Sequence, residues 1–299
     1  KDNSSSNRVV IYTNNGDNTF TGNDLANLSE VAFDIGDYDL DGDIDILLAG
    51  RNSSNVRVCL VYQNNSGGSF STQEFGLPGL SSGDLIWEDL DQDGDLEIFG
   101  SGLDDEGNEV VLFYMFEGGS YQKVAHPIDP VAYGAIKTFD ANNDGLSELL
   151  ISGYDELGNP STMVYTIDKA LQTSVYTDLL DGYAQNSISL ADYNEDGYVD
   201  LAMTGISGNI NRSANLYQNN QTNGFARIDP FLDSLSSSSI DFGDLNNDGL
   251  SDLILTGLDK DGDAQLYYYQ NEESGGDYTF STISHTLEVI YSGDVAIGD

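Results

Sequence analysis

The sequence predicts an all-β protein, a β-propeller of six four-stranded blades of about 52 residues each. The first observation is an acidic stretch, DYDLDGDID at residues 37–45, which returns four more times at a nearly constant spacing. The second is that the segments between the copies are short runs rich in β-branched and aromatic residues, separated by Gly, Asn and Asp. This composition is typical of antiparallel strands, and no helical apolar period extends over a long window.

Three landmarks recur in one register. The nine-residue acidic stretches, here loops 1 to 5, begin at Asp37, Asp89, Asp140, Asp192 and Asp244. A glycine follows each loop start at one fixed spacing, at Gly50, Gly102, Gly153, Gly205 and Gly257. A tyrosine follows at a second, longer fixed spacing, at Tyr62, Tyr114, Tyr165, Tyr217 and Tyr269, and Tyr12 precedes Tyr62 by nearly one period. Such a period indicates a propeller or another repeat array. A linear β-solenoid is the alternative, although its rungs are usually shorter than this period of about 52 residues.

Each period contains four candidate strands. An apolar run such as VAFDIGD leads into the loop, and a second run such as ILLAG or LILTG follows it. A turn such as LDDEGNE precedes the tyrosine strand, for example VVLFYMF, and a short aromatic strand such as GFARI ends the unit. Four strands per period favour the propeller over the solenoid.

The acidic loops predict metal sites. Alternate carboxylates at positions 1, 3 and 5 point toward one centre, and the glycine at position 6 permits a sharp turn. We expect position 7 to bind through its backbone carbonyl, because its side chain varies, and position 9 to close the cage. The predicted ligands are Asp37, Asp39, Asp41, Asp43 and Asp45; Asp89, Asp91, Asp93, Asp95 and Glu97; Asp140, Asn142, Asp144, Leu146 and Glu148; Asp192, Asn194, Asp196, Tyr198 and Asp200; and Asp244, Asn246, Asp248, Leu250 and Asp252.

Calcium is the predicted ion, in five sites with a sixth beginning at Asp299. Hard oxygen ligands in a flexible loop suit calcium, whereas magnesium requires a stricter octahedron. An EF-hand is excluded because it needs a bidentate Glu at position 12. That position holds Leu48, Gly100, Ile151, Met203 or Leu255 here. A solvated acidic turn is the alternative for a single loop, but it does not explain five loops in register.

Composition narrows the partners. The formal net charge of −41 argues against nucleic acid and against an anionic membrane, both of which need a basic patch. Hydrophobic residues make up 39% of the chain, which argues against disorder. No apolar run is long enough to insert into a membrane. The only cysteine, Cys59, lies in a strand-like run and is predicted to be a buried free thiol.

The motif D-x-[DN]-x-D-G-x-x-[DE], its apolar continuation and its period resemble the FG-GAP/VCBS repeat family, best known from the N-terminal propeller of integrin α subunits. The resemblance covers about residues 8–299. It implies a propeller with calcium in a hairpin loop of each blade. It does not imply one function, since members include adhesion receptors, lectins, propeller lyases and surface proteins.

We predict one domain over residues 1–299, with residues 1–36 supplying the outer strands of the closing blade and repeats starting near 37, 89, 140, 192 and 244. Residues 295–299 would begin a truncated sixth repeat, because AIGD matches DIGD before loop 1. A chain that starts at Lys1 and stops at Asp299, within a repeat, is expected to be a processed or excised piece. Alternatively, a neighbouring chain supplies the missing strand of the last blade.

The sequence favours a non-catalytic, secreted or cell-surface module for adhesion or fibre formation, with a protein or glycan ligand or copies of itself as partner. Neither His126 nor His285 falls at a repeated position, and no hydrolase signature is present. The alternative is a calcium-stabilised lectin, and a polysaccharide lyase or hydrolase comes third. Trp87 and the repeated tyrosines are expected to pack in the core rather than to stack on sugars. Six sequons are candidate glycosylation sites: Asn3, Asn27, Asn52, Asn64, Asn211 and Asn220.

Overall fold

The computed structural model describes residues 7–65, 68–177, 180–208, 211–221, 224–228, 232–284 and 295–297. Over these ranges, every regular element is a β-strand, and all strand pairs are antiparallel. None of the described residues forms a helix of the length and apolarity that crossing a membrane requires. The predicted all-β class is therefore confirmed. The chain divides into two compact units, Lys1–Ala132 and Tyr133–Asp299, so the prediction of one domain stays a prediction.

The first unit contains a hairpin and two four-stranded sheets. The hairpin consists of β1 (Val9–Asn14) and β2 (Phe20–Ala26). Repeat 1 consists of β3 (Leu28–Gly36), β4 (Asp45–Asn52), β5 (Arg57–Asn64) and β6 (Phe70–Gln73). Repeat 2 consists of β7 (Ser81–Glu88), β8 (Glu97–Leu103), β9 (Glu109–Glu117) and β10 (Ser120–Lys123). In both repeats, strands adjacent in sequence are adjacent in the sheet.

The second unit repeats this plan three times. Repeat 3 consists of β11 (Ile136–Phe139), β12 (Glu148–Tyr154), β13 (Pro160–Ile167) and β14 (Thr173–Thr177). Repeat 4 consists of β15 (Tyr183–Ala191), β16 (Asp200–Ser207), β17 (Asn211–Asn219) and β18 (Phe225–Arg227). Repeat 5 consists of β19 (Ser236–Gly243), β20 (Asp252–Leu258), β21 (Ala264–Ser274) and β22 (Asp277–Ile283). A single pair, Ser161 with Tyr183, joins repeats 3 and 4 into one sheet.

Each acidic loop connects the first and second strands of its repeat. In repeat 1 the ladder closes at Gly36 and Asp45, so loop 1 begins directly after β3 and its ninth residue begins β4. The corresponding pairs are Glu88–Glu97, Phe139–Glu148, Ala191–Asp200 and Gly243–Asp252. The five loops are therefore equivalent hairpin connections.

The recurring glycine has a packing reason. The first strand of repeat 1 carries a bulge between Ser29 and Ala32, which brings its backbone close to β4. A Cβ atom at Gly50 would lie 2.9 Å from the carbonyl oxygen of Ser29. In repeat 2, the same bulge places the carbonyl of Ser81 2.6 Å from a Cβ at Gly102. Only glycine fits this approach without a backbone shift.

The aromatic landmarks mostly build the core, as predicted. Tyr62, Tyr165, Tyr217 and Tyr269 are buried, whereas Tyr114 is half-buried and Tyr12 is exposed. Trp87 is buried, stacks on Tyr38 at a centroid distance of 5.4 Å and donates its indole N–H to the Tyr121 hydroxyl at 2.7 Å. Cys59 is a buried free thiol, and burial raises its pKa to about 12, so the prediction of a buried free cysteine is confirmed.

A side chain on the first strand of one repeat accepts a backbone hydrogen bond from the first strand of the next repeat. The Asp34 carboxylate accepts the Trp87 N–H at 2.8 Å, which ties β3 to β7. In the second unit, the Ser189 hydroxyl accepts the Phe242 N–H at 3.1 Å. The Asp241 carboxylate then accepts the N–H of Ile297 at 2.8 Å. Residues 295–297 thus lie against repeat 5 in the way that a further first strand would, while the predicted loop start at Asp299 lies outside the described residues.

Candidate metal centres

The backbone of each loop is wrapped around the carboxylate at position 1. In loop 1, Asp37 accepts the N–H of Asp41 at 3.0 Å and the N–H of Gly42 at 2.9 Å through its two oxygens. The same pair of bonds occurs at Asp89, Asp140, Asp192 and Asp244. The ordinary Asx-turn tendency of aspartate therefore shapes the loop in every repeat.

Two residues in each loop adopt left-handed backbone conformations. Position 6 is always glycine, with φ of +94° at Gly42 and +101° at Gly94, as the turn was predicted to require. Position 4 is also left-handed but is never glycine. It is occupied by Leu40, Gln92, Asn143, Glu195 and Asn247, with φ between +54° and +61°. Leucine, glutamine and glutamate hold this conformation at a cost of about 1 kcal/mol each.

Loops 1 and 2 each contain a cluster of three carboxylates. In loop 1, these are Asp37, Asp39 and Asp41, at positions 1, 3 and 5 of the predicted ligand set. One oxygen from each lies within 4.8 Å of the other two. In loop 2, the corresponding group is Asp89, Asp91 and Glu97, so that position 9 joins positions 1 and 3. Loops 3 to 5 have Asn at position 3 and, in the part of the chain that the structure describes, form no such triad of acids.

Asp39 provides a direct test of whether loop 1 fits a cation. Its Oδ1 atom is buried and has no hydrogen-bond partner in the described structure, although Oδ2 accepts the side-chain amide of Gln63. A buried carboxylate oxygen without a donor is costly. A cation between Asp37, Asp39 and Asp41 would satisfy that oxygen and offset the repulsion among the three carboxylates. These residues therefore fit a metal ion that takes oxygen ligands.

The acid at position 9 has a structural role that the sequence did not reveal. Asp45 is fully buried and accepts the Tyr38 N–H at 3.2 Å and the Asn64 N–H at 2.7 Å. Asp200 and Asp252 accept the equivalent pairs of N–H groups. In loops 2 and 3, Glu97 and Glu148 accept the N–H of position 2. Position 9 therefore ties the loop to the sheet, and its role as a metal ligand stays a prediction.

At position 9 of loops 1 to 4, burial disfavours the charged carboxylate. It raises the pKa of Glu97 to about 8, and it raises the pKa values of Glu148 and Asp200 to about 7. Bonds from the backbone N–H groups oppose this effect, and the nearby loop aspartates add to it. The pKa of Asp45 is also raised, again mainly by burial. A positive ion in the loop would act in the opposite direction.

Position 7 is held by its backbone N–H group. The N–H groups of Asp43 and Asp95 each donate to the position-5 carboxylate at 2.9 Å. The N–H groups of Leu146, Tyr198 and Leu250 do the same in their loops. The role of the position-7 carbonyl as a ligand stays a prediction.

Neighbouring loops in the second unit are linked by asparagines that the sequence analysis did not single out. The side-chain amide of Asn219 donates to the carbonyl of Ala141, position 2 of loop 3, at 2.8 Å. Asn143 of loop 3 donates to the carbonyl of Gly197 in loop 4 at 2.8 Å. The sequence held a signal, because an asparagine follows the start of loops 1, 4 and 5 at one fixed spacing, at Asn64, Asn219 and Asn271.

The predicted glycosylation sites differ in their accessibility. Asn27, Asn211 and Asn220 are exposed, Asn52 is half-buried, and Asn3 lies outside the described residues. Asn64 is half-buried, and its side-chain amide donates to the carbonyl of Ile44 at 3.2 Å. Its side chain is therefore engaged in the structure, unlike a free acceptor for a glycan.

The first unit also contains a cavity of about 590 Å³ beside β9. Its lining combines the apolar Val110 and Leu112 with Tyr114, Lys123 and His126. Four acids from and beside the β8–β9 turn also line it: Asp104, Asp105, Glu106 and Glu109. Burial lowers the pKa of His126, so this imidazole favours the neutral form. His285 lies outside the described residues.

Known proteins resemble this chain in fold and in repeat motif. Among solved structures, the chain is similar to an Agrocybe aegerita lectin, described for its specific recognition of non-reducing terminal N-acetylglucosamine, with a TM-score of 0.59 and 16% identity over 93% of this chain and 80% of that one. At this identity the likeness concerns the fold alone. A thermostable family-43 glycoside hydrolase aligns with a TM-score of 0.43 and 8% identity over 87% of this chain and 95% of that one, which is too low to support a conclusion.

None of the curated proteins compared with the chain is a significant match. The model of the FG-GAP-like repeat, however, matches residues 37–100 and 192–255. Each match begins at the first aspartate of a loop and extends into the second strand of the following repeat. These two segments, residues 37–100 and 192–255, are therefore identified as FG-GAP-like repeats.

Proposed function

We propose that the protein is a non-catalytic, calcium-stabilised β-propeller that acts outside the cell as an adhesion, surface or fibre-forming module. The observation that carries the calcium part is the buried, unpaired Oδ1 of Asp39 within the triad of Asp37, Asp39 and Asp41. A calcium ion supplies two positive charges that offset the carboxylates of one loop. Five such loops give five sites, and Asp299 would begin a sixth.

Asparagine at position 3 suits the same role in loops 3 to 5. The side-chain oxygens of Asn142, Asn194 and Asn246 each accept the N–H of the position-5 aspartate at 2.8 to 3.1 Å. An amide oxygen is a calcium ligand with no formal charge. We expect these three loops to bind calcium more weakly than loops 1 and 2, because their acids are fewer.

The propeller is the arrangement that five four-stranded repeats of one plan favour. Each repeat has four strands in sequential order, and within each unit a residue of one first strand binds the backbone of the next. Such sheets arranged around an axis form blades, and the FG-GAP repeats support this interpretation. A sixth blade would combine the β1–β2 hairpin with a first strand of the kind that residues 295–299 begin.

The non-catalytic part rests on how the acidic residues are used. The loop carboxylates at positions 1 and 9 each accept backbone N–H groups, which fixes them as structural ties. His126, the one histidine in the described ranges, is half-buried, lines the cavity beside β9 and does not belong to an acidic loop. Secretion agrees with calcium sites of the extracellular type, whose dissociation constants are about 10⁻⁴–10⁻³ M.

Carbohydrate binding is the second candidate, and the cavity beside β9 favours it. Tyr114 offers a flat face, while Glu109 and Lys123 offer an acceptor and a donor for hydroxyl groups. The lectin described above recognises terminal N-acetylglucosamine, so this sugar is the first ligand to test. A Tyr114→Ala variant that loses glycan binding while keeping calcium binding would favour this function.

Calcium titration of the chelator-treated protein tests the main proposal. We expect about five bound ions by calorimetry and a higher melting temperature with calcium than with magnesium. Asp39→Ala, which removes the position-3 oxygens altogether, should remove one site, whereas Glu156→Ala, in the exposed β12–β13 turn, should remove none. Equal numbers of ions in both variants, or no calcium uptake by the parent protein, would overturn the proposal.

A further inference from the structure

The first strand of repeat 1 has an exposed apolar face. Phe33 and Ile35 are 64% and 57% exposed, and Val31 beside them is exposed as well. The residues at the positions of Phe33 and Ile35 in repeats 2 and 5 are covered. In repeat 2 they are Leu85 and Trp87, both buried, and in repeat 5 they are Ile240 and Phe242, both buried. Repeat 1 thus exposes a face that these equivalents bury.

The structure shows what covers this face in repeats 2 and 5. Leu85 and Trp87 pack in one cluster with Ala32 and Leu47, from the first and second strands of repeat 1. Ile240 and Phe242 pack with Ala202 and Ala191, from the second and first strands of repeat 4. In repeats 2 and 5, this face therefore packs against the first and second strands of the preceding repeat.

The hairpin β1–β2 covers only part of repeat 1. Val9 and Leu25 pack against Leu28 and Leu48, at a distance along the sheet from Phe33 and Ile35. Among the described residues, β1 pairs with β2 alone, so its other edge is open. The sequence of β1, VVIYTN, has neither the lysine nor the proline that usually protects an edge, and Tyr12 on it is 67% exposed.

The open face carries little charge despite the net charge of −41. Asp34 lies between Phe33 and Ile35, but its carboxylate accepts the Trp87 N–H on the opposite, covered side of β3. Neither the face of Val31, Phe33 and Ile35 nor the strand β1 contains a residue that is charged at neutral pH. An apolar patch of this kind on so acidic a protein is typical of an interaction surface.

We propose that this open face, made of Val31, Phe33, Ile35 and the free edge of β1, docks a second copy of the chain through its residues 295–297. This proposal rests on the fibre-forming part of the proposed function and names its contact. The segment lies against repeat 5 through bonds from Val295 to Ser239 and from Ile297 to Asp241, so it occupies a first-strand position. Ala296 within it is exposed and available to cover a neighbouring β3.

Cysteine cross-linking tests the proposal and identifies the source of the covering strand. Phe33→Cys and Ala296→Cys are made as separate single variants, and the buried Cys59 serves as an unreactive background. The two variants are mixed in calcium and oxidised. A disulfide-linked heterodimer is the expected result, because each chain brings one of the two thiols. The double variant should form a ladder of covalent oligomers on a non-reducing gel.

Two results would overturn the proposal. One is a double variant that forms a disulfide within a single chain while the mixed single variants stay unlinked, since the chain would then cover its own face. The other is a parent protein that remains monomeric by light scattering at high concentration in calcium. In either case an unchanged calcium titration would leave the proposed calcium sites standing, so the two failures are distinguishable.

A second pair of variants avoids reliance on cross-linking. Phe33→Ser combined with Ile35→Ser should abolish self-association and leave the number of bound calcium ions unchanged. Leu157→Ser is the matched control, because Leu157 is 82% exposed in the β12–β13 turn and belongs to the second unit. Loss of association in the control, or its retention in the double Ser variant, would contradict the assignment of this face.

Discussion

The side-chain amide of Asn271 donates a 2.8 Å hydrogen bond to the backbone carbonyl of Tyr193, 78 residues earlier in the chain. Asn219 makes the same contact with Ala141, again across 78 residues. Each asparagine lies on a third strand, and each carbonyl lies at position 2 of the preceding loop. The residue that accepts this bond, Tyr193 or Ala141, also donates its N–H to the position-9 acid of its own loop. It therefore links its own loop to the third strand of the next repeat.

Removing this contact should destabilise the protein. Asn271→Ala leaves the buried carbonyl of Tyr193 without its donor, and we expect a loss of about 1–3 kcal/mol in the free energy of unfolding. Urea denaturation in saturating calcium measures it. Asn220→Ala, at an exposed position in the preceding repeat, should cost less than about 0.5 kcal/mol. Equal losses in the two variants would show that the contact contributes nothing of its own.

The metal-free protein should lose stability as the pH rises. The folded pKa values of about 8 at Glu97 and about 7 at Glu148 and Asp200 lie above the unfolded values of about 4. The folded state therefore binds more protons between about pH 4 and pH 8, and stability falls as the pH increases through this range. Melting temperatures in chelator at pH 5, 6, 7 and 8 measure the trend. A melting temperature that stays level or rises would contradict it, and calcium should reduce the dependence.

Glu97→Gln should change stability in opposite directions with and without calcium. Without calcium at pH 8, the substitution removes a buried carboxylate charge near Asp91 and Asp93 and should raise the melting temperature. With calcium, it removes an anionic member of the loop 2 triad and should lower the temperature gained on calcium addition. Differential scanning calorimetry measures both values. Glu106→Gln, at an exposed turn position, should change neither, and a loss of stability without calcium would refute the account of Glu97.

Leu40→Asn should stabilise loop 1. Leu40 has a φ of +58° and is exposed, so its side chain contributes little packing while its backbone is strained. Asparagine tolerates this conformation and occupies the same position in loops 3 and 5, as Asn143 and Asn247. We expect a gain of up to about 1 kcal/mol in the free energy of unfolding. Leu157→Asn, another exposed leucine, serves as the control, and a gain of equal size there would point to surface polarity instead of backbone strain.

The sequence was sufficient for features that depend on short distances along the chain. The Asp, Gly and Asp spacing of loop 1 predicted its turn and its cluster of Asp37, Asp39 and Asp41, because all of these residues lie within one hairpin. The recurrence of the glycines after the loops is visible in the sequence, but its cause, a bulge in the preceding strand at Ser29, required the backbone. The roles of Asp45 and Asn271 also required it, since their partners lie 19 and 78 residues away.

The contacts of Asn219 and Asn271 have a consequence for how such a chain can be recombined. A loop is complete within nine residues, so a single repeat carries its own hairpin geometry wherever it is moved. The carbonyl that each asparagine needs belongs to the preceding repeat, however, and that residue is held by the preceding repeat's position-9 acid. A transplanted repeat would therefore lose its contact with the previous one unless both were moved. In repeats 3 to 5, the smallest module that retains such a contact is a pair of adjacent repeats.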